Sequence, residues 1–444
     1  MPSSSVIKKI RPLQLVAVIF FTVSGGPYGL EPLLKFAGDH GAFLVLLLTP
    51  MLWDVPAIFT VLELNSMMPV EGGYYKWVKY ALGTRWGFFE GWWTWLYTFI
   101  DLAIYPVMIV TYAKFFFPEI ETYKIPICLV IIWSSAGLNI LGIRPVGKFS
   151  LILSIVVLIP LLLLFGSFFH HHSGGISIPS PSLKGIAFPS LGMALYTVMW
   201  NCLGWDNVTT YAEEVEKPVR SYMVSTFIAF AMVMILYFFT VLVAQQSHID
   251  HKVLDEDLFP ALGALIGGHW LGVVLAAGAM ASYLGIYAAV LLSVSRVPKA
   301  MSDDKLLPGW LNKLHPKFNT PYISIILCSF VVSLMVLWSF EELIIIDVTV
   351  YGAGLFLEYI SLIRLRQQEP GTHRPFKIPL NISGLCLMVL FPVSVYVVSL
   401  SGALSSEDGG IKPALFAIGV LLTAEIAWQV VKRRKAYRET QTEQ

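Results

Sequence analysis

The sequence has 444 residues and a net charge of +1, with 56% hydrophobic and only 13% charged residues. An ordinary water-soluble domain carries about 25% charged residues, so the composition excludes one, and the near-zero net charge gives no global field for nucleic acid. The four cysteines (Cys128, Cys202, Cys328 and Cys386) fall in apolar stretches and read as small packing residues rather than a disulfide framework.

Taking roughly 20 apolar residues as one membrane span, twelve spans follow in chain order. They centre near Phe21, Val55, Ile100, Ile132, Val157, Val198, Met234, Ala281, Phe330, Gly354, Val393 and Leu421. Span one (residues 13–36) is too long for the apolar core of a signal peptide, and no cleavage-site pattern follows it. Its middle carries Ser24-Gly25-Gly26-Pro27-Tyr28-Gly29. Three glycines and a proline in six residues do not hold an α-helix. Unpaired backbone groups cost several kcal/mol in hydrocarbon, so a break there implies a site inside the protein. Glu31, just past the break, falls in the first turn of the second half-helix. A carboxylate there suits the helix dipole, and it also repels a substrate carboxylate.

Span two carries Asp54 between Pro50 and Pro56, with Glu63 nearer its end and read as interfacial. Span three carries Asp101, with Tyr105 one turn later on the same face. Span six is broken at Asn201-Cys202-Leu203-Gly204-Trp205-Asp206-Asn207. On span eight, Tyr283 and Tyr287 share a face. Span ten places Asp347, Tyr351, Gly354 and Glu358 on one stripe; Asp347 is close enough to the span's end to be wet, and Glu358 suits a cytoplasmic vestibule. No Lys or Arg occupies the centre of any span. An Asp at a helix centre costs about 2.5–3.5 kcal/mol, so these acids need protons, backbone donors or a cation from outside. Aromatic rings beside acids suit ammonium groups, although aromatics make up 14% of the chain and many serve only to pack.

With the N-terminus inside, 24 of the 30 Lys and Arg fall in cytoplasmic segments, as the positive-inside rule expects. Breaks opening spans one and six imply two five-helix repeats of opposite topology. The expected layout is one transporter domain over 1–444: a cytoplasmic tail at 1–11, repeats at 12–169 and 186–366, two extra helices at 378–432 and a cytoplasmic tail at 433–444. The loop triplet His170-His171-His172 lacks an accompanying acid or cysteine pattern for a metal. No nucleophile–base set or phosphate loop is present. The expectation is therefore no enzyme, no cofactor and no metal.

The span-one break, Glu63 with Pro69-Val70-Glu71-Gly72-Gly73-Tyr74, and Leu307-Pro308 through Thr320-Pro321 resemble the amino acid–polyamine–organocation (APC) superfamily over nearly the whole chain. Other stretches are similar to the polyamine:cation symporters known from plants. These are Val23 with the break through Glu31, Asp101 with Tyr105-Pro106, Trp205-Asp206 followed by Glu213 or Glu214 and Pro218, Ser339-Phe340-Glu341-Glu342-Leu343, Leu357-Glu358-Tyr359 and Arg374-Pro375-Phe376-Lys377-Ile378-Pro379. There are departures. Ala57 stands where the family has an acid after the span-two proline, Asp347-Val348-Thr349-Val350-Tyr351 differs from the family's polar run, and no lysine interrupts span five.

The resemblance implies an all-α, LeuT-type 5+5 inverted-repeat carrier that imports a polyamine or related organic cation by alternating access, with protons as the coupling partner, in the cell membrane with both termini cytoplasmic. The substrate-binding candidates are Gly25, Gly26, Tyr28, Glu31, Asp101, Tyr105, Trp205, Asp206 and Tyr351. The proton-coupling candidates are Asp54, Asp347 and Glu358. The alternatives are a proton-coupled or exchanging carrier of amino acids, above all cationic ones, and a receptor that binds without transport.

Overall fold

The computed structural model describes residues 9–171, 180, 182–336, 340–406 and 411–442. The described residues form helices and connecting turns with no strand; two isolated bridges, Ile10 with Val215 and Glu71 with Tyr211, are the only β pairing among them. Among the described residues, nine helical segments are long and apolar enough to cross a membrane, and α1 (Pro12–Val23), the stretch Leu258–Gly267 and α13 (Tyr322–Met335) are shorter apolar helices. His172, part of the histidine triplet, and Ser339 lie outside the described residues.

Both expected breaks are present. Helix α1 stops at Val23, and α2 (Glu31–Thr49) starts after seven non-helical residues. Helix α2 bends at Gly38 (φ 61°) and runs through wider turns at Pro50–Asp54 into α3 (Val55–Met67). The ends of spans one and two are thus joined by a single bent helix. Helix α4 (Gly73–Leu82) is short and precedes α5 (Thr84–Ala113), α6 (Lys124–Ile140) and α7 (Ile143–His171). Helix α8 (Phe188–Trp200) ends at the second break, which closes with a single turn at Asn207–Thr210. Then follow α9 (Pro218–Gln246), α10 (His251–Gly267), α11 (His269–Val294), α12 (Arg296–Asp303), α14 (Phe340–Gln368), α15 (Ile382–Leu404) and α16 (Ile411–Thr442).

The backbone freed by the first break is satisfied inside the bundle, as a chain surrounded by lipid requires. Ser282 on α11 donates to the Gly25 carbonyl at 2.7 Å, and Asn201 Nδ2 donates to the Gly29 carbonyl at 3.0 Å. Tyr237 on α9 joins the two breaks: its hydroxyl donates to the Asn201 carbonyl at 2.5 Å and meets Ser24 Oγ at 2.7 Å. Gly29 is required twice over. Its φ is +95°, and a Cβ there would lie 2.7 Å from Trp200 Cζ3. Gly29→Ala is therefore expected to lower the thermal midpoint of the purified protein, because left-handed backbone alone costs a residue with a Cβ about 1–2 kcal/mol. An unchanged midpoint would show that the break relaxes freely.

Three cysteines are buried as expected, whereas Cys386 is exposed on α15.

Candidate functional site

Helices α11 and α14 each pack against α5, and the three carry many of the polar groups at the centre of the bundle. Asp101 on α5 is buried and accepts a hydrogen bond from Tyr105, one turn along. The Tyr105 ring lies against Trp200, 6.5 Å between centroids at 28°, and against Tyr283 at 6.2 Å and 27°. The Trp200 side chain also bonds to Asp101. Asp347 on α14 sits within electrostatic reach of Asp101. It is fully buried, and neither carboxylate oxygen has a partner among the described residues, which corrects the expectation that it is wet.

Asp206, in the second break, accepts from Tyr351 at 2.8 Å. Tyr351 meets Tyr97 edge to face at 5.4 Å, and Asn207 donates to the Tyr97 hydroxyl at 2.9 Å. These contacts bind the second break to α5 and α14. No Lys or Arg pairs with Asp101, Asp206 or Asp347 among the described residues. A charge buried without its partner is strongly unfavourable, so a proton or an arriving cation balances these carboxylates.

Glu31 has a different setting. Its carboxylate accepts from Gly29 N at 2.7 Å, from the Tyr112 hydroxyl at 2.5 Å and from Phe259 N at 3.3 Å. The last donor is supplied by the bend in α10 at Leu258, a non-glycine residue at φ 59°. Glu31 thus ties together the first break, α5 and α10. Tyr28, buried with its hydroxyl unpartnered, meets Tyr112 edge to face at 5.8 Å, and Tyr112 meets Tyr283 at 5.8 Å. Aromatic rings therefore run without interruption from Glu31 to Asp101. Gly25 and Gly26 lie behind this wall, close to α11 and α7 respectively.

Two expected placements do not coincide with this group. Trp205 turns toward the second span instead: its indole N–H donates to Asp54 at 3.1 Å and its ring packs on Phe230. Asp54 is fully buried, with its second oxygen unpartnered. Trp200, which borders the same break, supplies the ring beside Asp101 and was not singled out in the sequence. Of the two tyrosines on α11, Tyr283 joins the aromatic wall, whereas the environment of Tyr287 is Cys328 and Ser329.

Glu63, expected near the membrane interface, is enclosed by protein. It is fully buried and takes both arms of Arg366 at 2.5 and 2.6 Å, Arg374 Nε at 3.4 Å and Ile378 N at 2.8 Å. Glu358 is likewise enclosed, where a vestibule was expected.

Two cavities, of about 620 and 1190 Å³, open near Glu71 and do not reach Asp101 or Asp206. Ion pairs stand at this end: Lys299 to Glu71 at 2.8 Å and Arg296 to Glu214 at 2.9 Å. Asp304 joins Lys76 and Lys79, each at 2.7 Å. Burial raises the Asp304 pKa, but hydrogen bonds from Lys76, Lys79 and Tyr75 outweigh it and leave the carboxyl below its ordinary range. This clamp therefore contributes fully above the ordinary carboxylate pKa and is lost as pH falls through the depressed one.

The profile of the amino acid permease family matches residues 11–421. The polyamine transporter RMV1 of Arabidopsis thaliana is 32% identical over 87% of this chain and 79% of its own length. The polyamine transporter PUT1 of Oryza sativa is 29% identical over 99% of this chain and 81% of its own. The serine/threonine exchanger SteT of Bacillus subtilis is 22% identical over 84% and 86%. The chain belongs to the amino acid permease family of the APC superfamily and is a multi-pass membrane transporter.

Proposed function

We propose that the chain is a proton-coupled importer of a polyamine or a related organic cation. Its architecture in this reading is a LeuT-type carrier of twelve spans, with repeats over 12–169 and 186–366, two further helices over 378–432 and both termini in the cytoplasm. The cell membrane is the proposed location. Transport proceeds by alternating access around a site between the two breaks.

One observation carries the substrate class: Asp101 is a buried acid beside Tyr105 and Trp200, with no Lys or Arg of the described chain to balance it. An ammonium group supplies the missing charge and is attracted to the ring faces. Asp101 and Asp206 are the proposed ammonium contacts, with Tyr105 and Tyr351 along the methylene stem and Gly25, Gly26 and Tyr28 in the wall of the first break. Glu31 takes part when the substrate displaces one of its three present donors. Trp205 acts through Asp54, itself a candidate proton carrier with Asp347 and Glu358.

The relatives named as polyamine transporters support this reading. A second reading, amino-acid transport, is favoured by the donors that already occupy Glu31 and by the similarity to an exchanger.

Purified protein in liposomes with an imposed pH gradient separates the two. The expected result is saturable, gradient-dependent accumulation of labelled spermidine, blocked by putrescine and agmatine but not by leucine. Accumulation blocked best by leucine or arginine would replace the substrate assignment. Saturable binding without accumulation would favour a receptor.

A further inference from the structure

Glu90 and Asp101 lie eleven residues apart on α5, and Asp347 and Glu358 lie eleven apart on α14. Eleven residues make three helical turns, so each pair shares one face and its members stand about 16 Å apart along the helix. The two helices pack side by side, which sets one acid of each helix at either end of a common seam. At one end are Asp101 and Asp347. At the other, the Glu90 carboxylate rests on α14 at Gly354: a Cβ there would lie 2.9 Å from Glu90 Oε1. Glu358 follows one turn later. Asp206 lies within electrostatic reach of both Glu90 and Glu358 and is held by Tyr351.

Among the described residues, the titratable groups that interact at the far end are acidic or phenolic, with no Lys or Arg acting on Glu90, Glu358 or Tyr74. From α5 come Glu90 and Tyr97, with Thr94 donating to Glu90 at 3.4 Å. From α14 come Tyr351, Glu358 and Tyr359, and Asp54 on the second span lies near Tyr359. From α4 comes Tyr74, fully buried, in reach of the Thr94 hydroxyl and near Asp206, Glu90 and Glu358. Glu358 shares a side-chain hydrogen bond with Asp206, and one oxygen of Glu90 has no partner among the described residues. On the α14 side the contact at Gly354 leaves no room for a methyl group against Glu90. A proton needs no added volume.

We propose that Glu90, Glu358 and Asp206 form a proton relay leading from the substrate acids toward α4. In each transfer the O–H bond of one carboxyl breaks and an O–H bond forms on the neighbouring carboxylate. One proton moves one way and one negative charge the other. Tyr74 stands at the α4 end as the hydrogen-bond group that accompanies the exchange. The proposal rests on the proton-coupled reading above and adds a route, with Glu90 as a carrier.

The test uses the full-length protein in liposomes with spermidine as probe, and compares two readouts: uptake driven by a pH gradient, and spermidine exchange at equal pH. Glu90→Gln and Glu358→Gln preserve shape but cannot carry the proton. Each is expected to reduce driven uptake to the level seen without a gradient while exchange continues. Glu90→Asp restores part of the driven uptake. Gly354→Ala, which displaces Glu90 without removing it, is expected to act in the same direction as Glu90→Gln.

Retained gradient dependence in both glutamine variants overturns the relay. So does an equal loss of exchange and driven uptake, which marks a substrate-binding or structural role. A wild-type protein whose exchange ignores pH and whose uptake ignores the gradient overturns proton coupling itself, a result distinguishable from failure of the relay alone.

Discussion

Asp101→Asn is expected to lower the efficiency of spermidine uptake by roughly 10- to 100-fold, since a hydrogen bond to a charged group is worth about 1.5–3 kcal/mol net and each 1.4 kcal/mol is tenfold. The substitution keeps the shape of the side chain and leaves an oxygen for the Tyr105 hydroxyl, so the rings of Tyr105, Trp200 and Tyr283 need not move. It removes only the negative charge. Asparagine at membrane depth costs less than an ionised aspartate, and the amount of folded protein should therefore be maintained or rise. That separates loss of binding from loss of fold. Initial uptake rates across a range of spermidine concentrations, normalised to folded protein, give the measurement. Tyr105→Phe offers a comparison. It removes the donor that orients Asp101 but keeps the charge and the ring, so its loss is expected to be several-fold smaller. If Asp101→Asn transports spermidine like the wild type, the ammonium assignment falls, and Asp206 becomes the remaining acid of the pair.

The breaks were legible because their cause is local. Glycine and proline between Ser24 and Gly29 forbid a continuous helix whatever surrounds them, and α1 ends at Val23 as that chemistry requires. The acids in the spans were legible for a similar reason: an ionisable side chain inside an apolar run stands out whatever its partners. Which neighbour each acid meets was much less so, because helical rotation and tilt are set by distant chain. Trp200 and Trp205 border one break and carry the same group, yet one faces Asp101 and the other Asp54. Glu90 was passed over inside the aromatic run from Trp86 to Trp95, although the spacing that joined Asp347 to Glu358 would have joined it to Asp101. The ion pair of Glu63 was not legible because its partner Arg366 lies 303 positions later. No local pattern announces an ion pair of that separation.

That pair carries the largest expected effect on stability. Glu63→Ala should destabilise the folded protein by about 3–5 kcal/mol, the usual cost of removing one partner from a buried ion pair. The carboxylate is the common acceptor for Arg366, Arg374 and the Ile378 backbone N–H. Its loss leaves the buried Arg366 guanidinium without its counter-charge and Arg374, among the described residues, with only the Glu369 carboxylate nearby. Backbone carbonyls still accept from them, those of Ile378 and Leu380 from Arg366 and those of Leu365, Glu369 and Thr372 from Arg374. Hydrogen bonding is thus partly preserved while charge balance is not. Arg366→Met should be milder, because Glu63 keeps Arg374 and the Ile378 N–H. Arg366→Lys keeps the charge but loses the two-armed fork that matches a carboxylate, so it too should fall between wild type and Glu63→Ala. Thermal unfolding followed by size-exclusion fluorescence in one detergent ranks the four proteins. A Glu63→Ala midpoint within the scatter of wild-type scans would mean that water or detergent reaches the two arginines, and that the enclosure around α3 and α14 opens far more readily than its packing indicates. The predicted order, wild type above the two Arg366 variants and Glu63→Ala lowest, follows only if charge balance rather than hydrogen-bond count holds this end of the bundle together.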